Sequence, residues 1–144
     1  MINAAIVGLG WWGKTLVSSV QGKSDLIRFV AAHTRTRAKV EDFCREKGIT
    51  FQEDLQAILR DPKIDAVVYA AQHSDRSNQV QTTAAAGKHV FVEKPFALDL
   101  KACDAALAAV EKAGVVLGVG YNRRFPPAVV ELRARVKDGR LGTI

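Results

Sequence analysis

Cysteine is scarce in this chain: Cys44 and Cys103 are the only two. Both fall in helix-like stretches and form no metal-ligand spacing, so neither a disulfide framework nor a metal site is expected. Reduced thiols and a cytoplasmic setting follow. Long apolar runs are missing as well. The opening stretch MINAAIVGLG has no basic region ahead of a hydrophobic one, which argues against a signal peptide. No segment approaches the length of a membrane span, so no membrane partner is expected. Repeats, low-complexity tracts and long linkers are lacking too. Acidic residues are outnumbered, 15 against 21 Lys plus Arg, which leaves a formal net charge of +6. That excess suits a polyanion, either nucleic acid or a phosphorylated cofactor. What is there is ordinary: 144 residues, 48% of them hydrophobic, enough for one domain with its own core.

Short apolar runs alternate with helical patterns. Strands are expected at 2–7, 26–32, 66–71, 89–92 and 115–119. Helices are expected at 12–20, 36–47, 51–59 and 77–86, and in a stretch opened by Asp99 as N-cap. Gly48, Gly87 and Gly114 stand where helices should stop. The strands are continuously apolar rather than alternating, as in parallel strands buried on both faces. Strict alternation of strand and helix implies right-handed crossovers. The expected fold is α/β, a Rossmann-type doubly wound parallel sheet in three α/β/α layers. Residues 1–121 form the expected dinucleotide-binding domain. Beyond Tyr121 the chain turns basic, and Pro126-Pro127 opens another helix. Val129, Val130, Leu132 and Val136 give that helix an apolar face expected to pack on the domain, which disfavours nucleic acid as a partner. The final LGTI reads as the beginning of a strand, so 122–144 are expected to start a connection to a second domain.

The stretch GLGWWGKTL, residues 8–16, fits two phosphate-binding motifs at once. As Gly8-x-Gly10-x-x-Gly13 it is a dinucleotide fingerprint; as Gly8-x-x-x-x-Gly13-Lys14-Thr15 it is a P-loop. Both hold phosphate with backbone N–H groups at a helix N-terminus. A P-loop also needs an acidic residue after a buried strand to support Mg²⁺. Glu93 follows such a strand, but Lys94 comes next and would compete for its carboxylate. The compact strand–turn–helix context favours the dinucleotide. Gly8 then permits the tight turn, Gly10 the approach of the pyrophosphate, and Gly13 close helix–strand packing. Trp12 is expected to wall the nicotinamide end, and Trp11 to face a neighbouring loop or a second domain.

A carboxylate that holds the ribose 2′-OH of NAD is expected about 20 residues beyond these glycines. The chain has AHTRTR at 32–37 instead, with no carboxylate. Arg35 and Arg37 offer guanidinium groups suited to a phosphate dianion, and Thr34 is neutral. NADP(H) is therefore expected ahead of NAD(H). Further along, a buried strand ends in Glu93-Lys94-Pro95, at the sheet edge where open α/β folds bind ligands. Pro95 restricts the backbone of Lys94. A lysine there can donate to a substrate oxygen and move a proton. His89 begins a strand and reads as structural, whereas His33 and His73 follow strand ends, where a structural or solvated role stands beside contact with a cofactor.

Five segments together carry a resemblance: GLGWWG at 8–13, IDAVVYAA at 64–71, AGKHVFVEKP at 86–95, YNRRFPP at 121–127 and GRLGTI at 139–144. In their order and spacing the chain resembles the N-terminal half of the glucose-fructose oxidoreductase, inositol dehydrogenase and MocA family. The resemblance implies an NAD(P)-dependent oxidoreductase that moves a hydride between nicotinamide and a hydroxyl-bearing carbon of a sugar or polyol. It implies that Gly8, Gly10 and Gly13 line the pyrophosphate turn, and that Thr34 and Arg35 meet the adenosine ribose phosphate. Ala71, Gln72 and His73 would stand beside the centre of the cofactor, where the family often has Thr-Pro-Asn. Glu93 would lie near the nicotinamide ribose, Lys94 would be the catalytic lysine, and Asn122 and Arg124 would lie at the nicotinamide and substrate end. Arg76 departs from the family's pattern, which has a histidine there. The resemblance also implies a second domain, absent from this chain, that supplies the substrate pocket and the surface of a homo-oligomer. The isolated domain is then expected to bind cofactor with little turnover. The rival reading is a non-catalytic NAD(P) sensor or transcriptional co-regulator of the same fold; an intact Lys94 argues against it.

Overall fold

A computed structural model describes residues 1–71 and 73–143. The chain alternates strand and helix: β1 (Ile2–Val7), α1 (Trp11–Val20), β2 (Ile27–His33), α2 (Glu41–Lys47), β3 (Thr50–Phe51), α3 (Leu55–Arg60) and β4 (Ala66–Tyr69). Then come α4 (Arg76–Ala85), β5 (His89–Val92), α5 (Leu100–Ala113), β6 (Leu117–Val119) and α6 (Pro127–Lys137). The strands form one six-stranded sheet in the order β3-β2-β1-β4-β5-β6. Every pairing is parallel. The order reverses between β1 and β4, so the crevice outside their carboxyl ends is where such a sheet accepts a ligand.

Successive side chains of a strand point to opposite faces, and each face here has its own core. Ala5 and Val7 of β1 join Val67 and Tyr69 of β4 on one face, against Ile58 of α3, Val80 of α4 and Ala106 of α5. Ala4, Ile6, Ala66 and Val68 join the other face, against Val17 of α1 and Cys44 of α2. This double burial is why the strands read as continuous apolar runs. Helix ends follow local chemistry. Asp99 caps α5 by accepting from the Ala102 N–H, and Asp54 caps α3 through Gln56. Gly48 and Gly114 end α2 and α5 in the left-handed conformation, at φ 65° in both.

Apart from strand ends shifted by one or two residues, as where β4 stops at Tyr69 and β6 begins at Leu117, the structure differs from the sequence-based expectation in four places. The stretch 36–47 is a 3₁₀ turn (Arg37–Lys39) followed by the shorter α2, because Val40 breaks away at φ −132° before the helix starts. The stretch 51–59 begins as the edge strand β3, which pairs Thr50 and Phe51 with Ala31 and Ala32; α3 starts only after its Asp54 cap. Leu141 to Thr143 form a turn and a short tail rather than a strand, for a strand needs a ladder partner and none pairs there among the described residues. Ile144 lies outside the described residues. Finally, α6 does not pack on the domain. Val130, Leu132 and Val136 remain about half exposed, and no residue of α6 is buried.

Candidate functional site

The site is built from the loops that follow β1, β2, β4, β5 and β6. After β1 the backbone turns sharply at Gly8, at φ 95°, a conformation that glycine alone adopts readily. A Cβ on Gly8 would stand 2.8 Å from the Ala71 nitrogen, and one on Gly13 only 2.0 Å from the Gly8 carbonyl oxygen. These two glycines bring α1 and the β4 loop into contact with the turn. Gly10 differs: a Cβ there meets nothing within 4 Å. It is the N-cap of α1 without a side-chain cap, and the first turn of α1 holds no acidic residue. Free N–H groups of a ten-residue helix thus face open space, where an anion is favoured.

Two cavities meet at Ala70 and Ala71, the first residues after β4. One, of about 410 Å³, is lined by Gly8, Gly10, His33, Thr34 and Arg35 among others. The other, of about 600 Å³, is lined by Trp11, Trp12, Glu93, Lys94, Asn122 and Arg123, with Arg76 behind them. Both volumes suit small-molecule sites. Three buried side-chain atoms lack a hydrogen-bond partner among the described residues: Trp12 Nε1, Arg76 Nε and Gln79 Oε1. All three residues line one of these two cavities. An elongated ligand with a central anionic group fits this layout, and a dinucleotide is one.

The two residues that would make the loop a P-loop serve local structure instead. The Lys14 ammonium donates to the Lys39 carbonyl at 3.3 Å and stands 5.3 Å over the Phe43 ring. Thr15 Oγ1 donates to the Trp11 carbonyl at 2.9 Å. Trp11 and Trp12 lie with ring centroids 5.6 Å apart; Trp11 is 79% exposed at the rim, while Trp12 is partly buried in the wall.

At the end of β2 the two arginines part company. Arg35 is exposed, borders the smaller cavity, and forms no ion pair among the described residues. Arg37 is not on the cavity wall. Its guanidinium pairs with Glu41 at 2.8 Å and Glu53 at 2.9 Å and lies over the Phe51 ring. These carboxylates hold its pKa above the ordinary arginine value. The 3₁₀ turn carries it away from the site towards them, so the expectation that both arginines face a phosphate narrows to Arg35. His33 is held by a 2.9 Å hydrogen bond between Nδ1 and the Gln52 carbonyl.

At the other end, Asn122 lines the larger cavity, and beside it the wall residue is Arg123 rather than Arg124. The stretch Asn122–Arg124 is a 3₁₀ turn, whose adjacent side chains diverge by about 120°. Gln72 lies outside the described residues, and for His73 only the backbone, opening a 3₁₀ turn, is described. His89 is structural: its Nδ1 accepts from the Val116 N–H at 3.1 Å.

Two residues stand out that motif reading had not assigned to the site. Arg76, only 1% exposed, donates from Nη1 to the carbonyls of Glu93 and Pro95 and from Nη2 to the Ala71 carbonyl at 3.1 Å. Burial pushes its pKa down, and the nearby Glu93 carboxylate opposes that. Its signal in the sequence was a cation in the first turn of a helix, where the dipole disfavours one. The other is Gly120, where a Cβ would stand 2.8 Å from Glu93 Oε1. The missing side chain makes room for that carboxylate.

Residues 2–121 match the family model described as an oxidoreductase family with an NAD-binding Rossmann fold. The chain belongs to this family. Among relatives of this oxidoreductase family, a scyllo-inositol 2-dehydrogenase (NAD(+)) of Bacillus subtilis is 36% identical across 98% of the chain and 42% of the relative. An inositol 2-dehydrogenase of Rhizobium meliloti is 32% identical, across 99% of the chain and 43% of the relative. The chain thus spans about two fifths of the length of these family members. Among solved family structures, the scyllo-inositol dehydrogenase of Lactobacillus casei with bound NAD(H) and scyllo-inositol superposes with a TM-score of 0.93. It is 28% identical and matches 100% of this chain and 43% of that one.

Proposed function

We propose that this chain is the cofactor domain of an NADP(H)-dependent oxidoreductase acting on a hydroxyl-bearing carbon of a sugar or polyol. The observation that carries the reading is the pair of cavities joined at the carboxyl edge of β1 and β4, with a glycine turn at one end and Lys94 at the other. The nicotinamide dinucleotide supplies the hydride chemistry when bound. Gly8, Gly10 and Gly13 hold the pyrophosphate turn, and the N-terminus of α1 offers it N–H donors. Thr34 and Arg35 receive the adenosine ribose phosphate; residues 32–37 carry no carboxylate, and among the described residues the one acidic residue on that cavity's wall is Asp75, from the β4 side. Ala71, and with it Gln72 and His73, passes the centre of the cofactor. Trp12, Glu93, Asn122 and Arg123 surround the nicotinamide end, and Trp11 forms its rim.

Lys94 sits exposed on the wall of the larger cavity. Its ammonium donates to the reacting oxygen of the substrate and moves the proton that accompanies oxidation or reduction there. A sensor of the same fold has no need of such a group. Relatives named inositol dehydrogenases support a polyol as substrate. Residues 1–121 form the cofactor domain, and 122–144 begin a connection to a substrate domain.

The coenzyme assignment is tested by calorimetric titration of the wild-type chain and of Arg35→Ala with NADPH and NADH. Charge-assisted hydrogen bonds contribute about 1.5–3 kcal/mol each, so the variant should lose roughly ten- to a hundredfold in NADPH affinity. NADH affinity should stay unchanged. Tighter binding of NADH by the wild-type chain, unaltered by the substitution, overturns the NADP(H) assignment and leaves the dinucleotide site standing.

A further inference from the structure

Arg76 occupies an expensive position. It is the first residue of α4, where the helix dipole disfavours a cation, and it is 1% exposed. Asp75 before it gives no cap; its carboxylate accepts from the Asn78 amide at 2.8 Å instead. No carboxylate pairs with Arg76 by hydrogen bond among the described residues; its Nη donors go to three main-chain carbonyls, and Nε has no partner there. A buried guanidinium stays charged and must be satisfied or it destabilises the fold. The choice of carbonyls is informative. Glu93 and Pro95 flank Lys94 on either side, and Ala71 is the residue at which the two cavities meet.

We propose that Arg76 is the positioning residue of this site: its fork ties the loop after β4 to the Glu93-Lys94-Pro95 turn and thereby aims Lys94 into the larger cavity. The consequence for a reaction rests on the role given to Lys94 above; the tie itself does not. Arg76 also borders the larger cavity, with Nε unpartnered, but the tie proposed here is made by its Nη groups alone. It acts through the backbone on both sides of Lys94, while Gly120 leaves Glu93 the room to turn its carboxylate to the same cavity.

The peptide group whose carbonyl accepts from Arg76 also carries the Lys94 N–H, so that amide reports the tie directly. The test is ¹⁵N relaxation on the wild-type chain and on Arg76→Gln, without ligand. In the wild type the Lys94 amide should have the order parameter of rigid backbone, about 0.85, and in the variant it should fall below about 0.6. Val90 and Val92 of β5 should keep their values. An unchanged Lys94 overturns the proposal. Equal loosening of Lys94 and β5 also overturns it, because Arg76 would then merely support the fold. If Arg76→Gln does not fold, Arg76→Lys takes its place, since it keeps the charge but not the fork. In the wild type, the Arg76 Nη–H groups should give separate, slowly rotating signals; one averaged signal contradicts the tie. Adding NADPH separates this proposal from the functional one. If the Trp11 and Trp12 indole signals stay still while Lys94 behaves as described, the cofactor reading fails and the tie stands. If the indoles move and Lys94 is indifferent to Arg76→Gln, the reverse holds.

Discussion

Gly8, Gly10 and Gly13 stand within one turn, yet the space around each differs. A methyl group at 13 would collide with the Gly8 carbonyl, whereas one at 10 meets nothing within 4 Å. Gly10 has φ −69°, which any residue adopts. Gly10→Ala should therefore fold with stability within about 0.5 kcal/mol of wild type, as surface substitutions do. It should still weaken dinucleotide binding at least tenfold, because the methyl would enter the open space proposed for the pyrophosphate. Gly13→Ala should lower stability itself by about 1–3 kcal/mol through overpacking. Chemical denaturation and titration of the two variants check both outcomes. At this scale the motif was legible because its spacing is a backbone requirement. Arg37 and Arg124 stand off the cavity walls for a shared reason: spacing gives proximity along the chain, while a 3₁₀ turn sets direction. The role of Arg76 was hidden because its partners are carbonyls, which carry no sequence signature.

Among elements, the buried strands β1, β4 and β5 were legible from their apolar runs, and α5 from its cap and its glycine stop. Edge strand β3 was not, since its two residues gain their conformation from pairing with β2. The apolar residues of α6 misled for the opposite reason: periodicity reveals a face but not whether anything covers it. One tie between elements carries no signature in the sequence. Gln21, just past α1, accepts from the Phe29 N–H at 2.9 Å and donates to the carbonyls of Phe29 at 3.1 Å and Lys47 at 2.9 Å. It joins α1, β2 and the end of α2. Gln21→Ala strands these partly buried groups and should lower stability by about 1–3 kcal/mol. The denaturant midpoint should fall while NADPH affinity of the folded protein is retained, since Gln21 lies at the opposite edge of the sheet from the site.

For the molecule as a whole, the core predicts a response to alkali. Tyr69 is fully buried, and its hydroxyl shares a 2.6 Å hydrogen bond with Thr83 Oγ1. Burial pushes its pKa from 10.0 up to about 12, although the bond to Thr83 works the other way. The folded state thus holds this proton more tightly than the unfolded state. Its contribution is fully present below pH 10 and is lost as pH rises towards about 12. Over that window stability should fall by roughly 2–3 kcal/mol from this group. Tyr69→Phe should flatten that part of the stability profile while being less stable at neutral pH, where Thr83 loses its partner.

In the proposed function a reduced nicotinamide lies between the tryptophan pair and Lys94, and the two tryptophans can report it. The decisive measurement is titration of the chain with NADPH, NADH and ATP–Mg²⁺ separately, following tryptophan emission and energy transfer to the nicotinamide. Saturable transfer with NADPH, weaker transfer with NADH, and no saturable response to ATP–Mg²⁺ are expected of such a site. Binding of ATP–Mg²⁺ with transfer from neither dinucleotide would contradict it.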